Sequence, residues 1–297
     1  MNIRSNPVML KELRGRMRGR KAVVMLTSYL SVIGVVTMLL YLLVVSTSSS
    51  GWNNLDIGPE VGRTIFITVI LVALVQVCFL TPSLTAGSIA GEKERQSYDL
   101  LVTTLLSPWD ILFGKMVAAL SFALLLVLSV LPLAGLSFLF GGVSATELVI
   151  AMLGLIVTAL TYATIGIFWS IVMRTTIGAT IMAQGSVLIL LLGTPFLFIV
   201  IVGLFDSSLF GVDIDDSLFF VGIIVFMIYA HPFMALGVSY SIFTENEDLF
   251  LFQFDDVVVL SPWIGYALFS LLISAIFLFM SGRLLNPTSY ASRKPKD

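Results

Sequence analysis

Seven stretches of this chain run for more than 20 residues without an Asp, Glu, Lys or Arg: 22–45, 64–91, 116–146, 148–173, 175–205, 217–244 and 257–282. A helix needs about 20 apolar residues to cross roughly 30 Å of hydrocarbon, and inside lipid only structures that satisfy their own backbone are tolerated. Such runs predict an all-α fold, a polytopic helical bundle in a membrane. The composition agrees. Hydrophobic residues make up 58% of the 297 and charged ones only 11%, with a mean hydropathy of +1.04, whereas soluble domains carry about 25% charged residues. No internal repeat or long polar linker divides the chain, so residues 1–297 read as one transmembrane domain.

Sidedness follows from where lysine and arginine fall. Arg4, Lys11, Arg14, Arg16, Arg18, Arg20 and Lys21 precede the first run, which is too long for a signal-peptide core and lacks a cleavage pattern. The N-terminus is therefore expected in the cytoplasm. The run 217–244 decides the count. If it crosses, the acidic loop ENEDLFLFQFDD lies inside and the basic tail (Arg283, Arg293, Lys294, Lys296) outside. If it dips in and returns, every basic residue except Arg63 is cytoplasmic. Six spans plus a re-entrant outer segment at 217–244 is the preferred reading, with both termini inside. Seven spans is the alternative. His231-Pro232 stands where a helical hairpin would break.

Two cytoplasmic segments stand out. Residues 6–21 predict a short amphipathic interface helix, capped at Asn6-Pro7, with Leu10, Leu13 and Met17 on one side and Lys11, Glu12, Arg14 and Arg18 among its polar residues. It would lie on the inner membrane surface, and contact with lipid alone would also explain it. The second segment, 91–106, holds the one internal run of four charges, Glu92, Lys93, Glu94 and Arg95. Tyr98, Leu101, Val102 and Leu105 follow at i, i+3, i+4 and i+7, with Arg95 and Asp99 facing elsewhere, which predicts a short amphipathic helix with Glu92 and Glu94 at its N-terminal end. Ser107-Pro108 and Ser261-Pro262 each predict the start of a further helix. A loop that only links two spans needs about 2–8 residues, so this elbow is either a docking lever for a soluble protein or an interfacial helix on lipid.

The stretches NPVMLKELRGRMRGRKA and GSIAGEKERQSYDLLVTTLLSPWDILFGK resemble those of the ABC-2-type permeases, the membrane subunits of bacterial and archaeal ABC exporters. The matching positions are Gly91, Glu92, Lys93, Glu94, Leu100, Leu101, Thr103, Ser107, Pro108, Gly114 and Lys115, so the specific motifs occupy the first 115 residues and the rest matches in hydropathy. The resemblance implies an interface helix, a coupling helix after the second span, six spans and a re-entrant extracellular segment. It also implies a permease that pairs with a second permease subunit, identical or related, and with two copies of a cytosolic ABC ATPase, in the cell membrane. Glu92, Lys93, Glu94, Arg95 and Asp99 would then meet the ATPase, with Tyr98, Leu101 and Leu105 packing the helix against it or against the interface helix. AHPFMAL is a weaker echo of an Asn-Pro pattern, and His231 within it reads as a satisfied, partly buried histidine.

The chain has no G-x-x-x-x-G-K-[ST] phosphate loop. No catalytic activity, cofactor or metal is expected of it, ATP and Mg belong to the partner, and no nucleic acid is expected. The preferred spans carry no charge near their middle, which disfavours an ion-coupled carrier. A membrane scaffold that recruits a cytosolic protein, and a channel or secondary carrier, are the alternatives to the exporter subunit. The outer acids Asp206, Asp213, Asp215, Asp216, Glu245, Glu247, Asp248, Asp255 and Asp256 would suit either cations or a solvated, salt-adapted surface. The substrate is not legible.

Overall fold

The computed structural model describes residues 20–48, 57–98, 108–206, 218–245, 250–254 and 257–285. The interface helix expected at 6–21, with Lys11, Glu12, Arg14 and Arg18, lies outside them, as do Asp99, Leu101 and Leu105. The described elements are α1 (Arg20–Ser48), α2 (Ile57–Glu94), α3 (Pro108–Ser129), α4 (Leu131–Leu139), α5 (Ala145–Val172), α6 (Thr176–Asp206), α7 (Leu218–Ala230), α8 (Pro232–Glu245), β1 (Leu251–Phe254), β2 (Val257–Leu260) and α9 (Pro262–Leu284). Among the described residues, six helical segments are long and apolar enough to cross a membrane: α1, α2, α3 with α4, α5, α6 and α9. The protein is an all-α polytopic membrane bundle, and both Ser-Pro helix starts fall where the sequence puts them.

The chain forms two compact units, one of Met1–Gln184 with Ser274–Asp297 and one of Gly185–Ile273. In the first, α2 packs along α5, and α1, α3 and α4 pack against α2. A bundle in lipid gains nothing from apolar burial between helices, so close backbone approach and interhelical hydrogen bonds matter more. Both are present. A Cβ on Gly166 of α5 would overlap Thr85 Oγ1 and stand 2.7 Å from the Pro82 carbonyl oxygen of α2. Ser274 Oγ of α9 donates to Thr161 Oγ1 of α5 at 3.2 Å. Beyond the end of α4, Gly142 approaches the backbone of Pro59 and Arg63 so closely that no side chain fits there. Pro82 and Pro195 sit inside continuous helices, whereas Pro132 lies in the first turn of α4, just after the break that ends α3 at Ser129.

In the second unit, α7 and α8 meet at His231 with a turn of 108°. At 13 and 14 residues each is about 20 Å long, short of the hydrocarbon thickness. A turn beyond a right angle sends the second helix back, which fits a re-entrant segment; taken as one broken span, the pair would make a seventh crossing. His231 is buried, its Nδ1 accepts the Met234 N–H at 3.3 Å, and its Nε2 lies 3.0 Å from the Leu191 carbonyl oxygen. It caps α8 and has both ring nitrogens partnered, the satisfied histidine the sequence suggests. β1 and β2 pair antiparallel in the register Leu251↔Leu260 to Phe254↔Val257. Tyr229 OH donates to the Leu260 carbonyl at 2.6 Å, and its ring lies against Gly265, where a Cβ would overlap it. Ser261 starts α9 through its carbonyl, which accepts from Ile264 N and Gly265 N, while its hydroxyl caps nothing.

Candidate functional site

The charged run lies elsewhere than the sequence suggests. α2 continues without a break from the second span to Glu94, so Glu92 and Glu94 occupy the C-terminal turn of a long helix and not the N-terminal turn of a short one. Carboxylates are disfavoured at that end by the helix dipole. The helix then stops in a Schellman arrangement: Ser97 N donates to Glu92 O at 3.0 Å and Gln96 N to Lys93 O at 3.1 Å. Gln96 takes the left-handed position, with φ of 58°. Left-handed backbone costs a residue with a Cβ roughly 1 kcal/mol, so Gln96→Gly should stabilise the protein by about that amount, read as a raised midpoint of thermal unfolding in detergent micelles.

Each of the next three charges reaches a different helix. Lys115 of α3 is 1% exposed, and its Nζ donates to Glu92 Oε1 at 2.7 Å and to the Ser88 carbonyl at 2.8 Å. Burying an ammonium costs several kcal/mol unless a counter-charge and further acceptors surround it, which explains why a carboxylate stands in this turn. Lys93 Nζ donates to the Ile171 carbonyl and, at 3.5 Å, to that of Met173, so it closes the C-terminal end of α5, where a cation is favoured. The same Nζ stands 5.5 Å from the centre of the Tyr98 ring. Glu94 Oε2 accepts from Thr176 N at 3.0 Å and from Thr176 Oγ1 at 2.6 Å, capping the N-terminus of α6 from another helix. One turn earlier, Ser170 Oγ of α5 accepts from the backbone N–H of Ile89 at 2.8 Å and of Ala90 at 2.9 Å.

Of the expected contact residues, Arg95 and Glu94 are exposed, while Glu92 and Lys93 are half-buried and turned to the chain's own helices. Tyr98 is 4% exposed and packs with Ile89, Leu112, Met116, Ile167, Ile171 and Leu285. Lys115, Ser170 and Thr176 belong to the site although the charge run does not point to them. The available signal was Lys115 itself, a lysine with apolar neighbours at the foot of a span, where an acceptor has to be found for it. No family model matches the chain, and no curated protein matches it to a significant degree.

Proposed function

We propose that this multi-pass membrane protein is the permease subunit of an ABC exporter of the ABC-2 type. It works as a pair and is driven by two copies of a separate cytosolic ATPase that holds the ATP and Mg. The observation that carries this reading is the anchoring of the last turn of α2. Through Glu92, Lys93, Glu94 and Ile89 to Ala90, this turn is bonded to α3, α5 and α6. A protein that pushes on this turn moves the ends of four helices together, which is what a coupling element requires. A nucleotide shifts the balance between two bundle arrangements only if the pushed element differs between them, and a braced tip provides that differential contact. Arg95 and the segment carrying Asp99, Leu101 and Leu105 are assigned to the ATPase face. Glu92 and Lys93 act from behind it as positioning residues.

Two measurements test the reading. Arg95→Cys should escape an impermeant maleimide added to intact cells and react in inverted vesicles, with the buried Cys78 silent. Labelling of intact cells would put the tip on the wrong side. Co-expressed with the ABC ATPase encoded nearest to it, the chain should purify as a complex that moves substrate only with ATP. Arg95→Glu should weaken that complex while leaving the thermal midpoint of the permease unchanged. A complex that forms but drives no ATP-dependent flux would favour a scaffold instead.

A further inference from the structure

The geometry points to a second kind of membrane contact: the β1–β2 hairpin lies in the interfacial layer of the bilayer, with Leu251, Val258 and Leu260 against the acyl chains. Seven of its eight strand residues are apolar, in the segments LFQF and VVVL. Directly opposed residues share a face, so the register puts Leu251, Leu260 and Val258 on the same side, together with Gln253, the one polar strand residue. The three apolar ones are 54%, 38% and 61% exposed, whereas Phe250, paired with Ser261, falls on the other side. A two-stranded hairpin is at best marginally stable in water, and the described residues give it no third strand. An apolar face this open needs an occupant.

The occupant we assign is lipid, and the reason is continuity. Only Ser261 separates Leu260 from α9, a helix long and apolar enough to span, whose Leu268, Leu271 and Leu272 are exposed. The hairpin is therefore rooted where a span leaves the hydrocarbon. Trp263, in the first turn of α9, belongs to the residue type that collects at that level.

The backbone fixes the depth. Ser261 N donates to Phe250 O at 2.9 Å, so the bonded pairs of the ladder are 250/261, 252/259 and 254/257. The N–H and C=O groups of Leu251, Gln253, Val258 and Leu260 then point outward along the two edges, as the bond from Tyr229 OH to the Leu260 carbonyl shows. Open edges are not tolerated in the hydrocarbon core, and the dipeptide joining the strands is Asp255-Asp256. The hairpin consequently lies flat at the headgroup level, inserts one face and keeps its edges wet. The acids that precede it in the sequence, Glu245, Glu247 and Asp248, offer no attraction to anionic lipid, so the contact is apolar.

The test uses the unmodified protein in phosphatidylcholine nanodiscs, labelled by a carbene reagent dissolved in the acyl phase. Adducts are expected in the peptide spanning 250–260, as on the exposed face of α9. Their absence from 250–260 while α9 is labelled overturns the proposal. Spin labels at Leu251 and Val258 in a Cys78→Ala background provide the second arm. Access by a water-soluble nickel chelate should be lost and oxygen access retained, as at a Leu271 label. Full chelate access would mean a hairpin in water. Exclusion of both reagents, with strong coupling between labels on two copies, would mean a joint between subunits. Either result sinks the lipid assignment.

Discussion

Glu92→Ala should lower stability by about 3–5 kcal/mol, the cost of stripping one partner from a buried ion pair, measured by equilibrium unfolding in mixed micelles. The Lys115 ammonium is 1% exposed and 2.7 Å from the carboxylate that would be removed. The Ser88 carbonyl, which also accepts from it at 2.8 Å, carries no net charge. The effect arises from a buried cation losing its carboxylate rather than from the lost contact itself. The double variant Glu92→Gln with Lys115→Met should therefore recover most of the loss, because well-packed neutral residues often match or exceed a buried ion pair. If Glu92→Ala is as stable as the parent, Lys115 does not depend on this carboxylate and the brace between α2 and α3 is not an energetic one. Transport in the stable double variant then reads out the positioning role separately from folding.

A steric effect is expected at Gly166. A first side-chain carbon there would overlap Thr85 Oγ1 and press on the Pro82 carbonyl oxygen. Neither can yield readily. Thr85 Oγ1 is engaged with the Thr81 and Pro82 carbonyls at 3.1 Å each, and the other obstacle is backbone. Overpacking commonly costs 1–3 kcal/mol, so Gly166→Ala should cost about 2 kcal/mol, and Gly166→Leu should separate α2 from α5 and abolish recovery of folded protein. Gly185→Ala serves as the control, because nothing lies within 4 Å of the added carbon. Comparable yields from Gly166→Leu and Gly185→Ala would show that the contact between α2 and α5 is dispensable.

The membrane helices were legible in the sequence because hydrocarbon imposes a length and a composition, and both are local properties. The ends of α2 were less so. The uncharged run covers 64–91, yet the helix extends from Ile57 to Glu94, since charged residues end the hydrocarbon and not the helix. The break after Ser129 left only Pro132 as a trace, and the 108° turn at His231 is marked by Pro232.

The charge run shows the limit more sharply. Its residue types drew attention to 92–95, but their partners lie 23, 78 and 82 positions away at Lys115, Ile171 and Thr176. No local pattern encodes such pairings. For a related reason the helix dipole alone does not place Glu92 and Glu94: the same acids suit the start of a following helix and, once paired, the end of the preceding one. Only the position of the left-handed residue, Gln96, separates the two.

The length of α2 has a mechanical corollary. Its 38 residues make a rod of about 57 Å, nearly twice the roughly 30 Å of hydrocarbon it must cross. Pivoting such a rod by about 10° about its middle, as one piece, sweeps its charged extremity through roughly 5 Å. Small rotations deep in the bilayer and large excursions outside it would then be the same motion, seen at two radii.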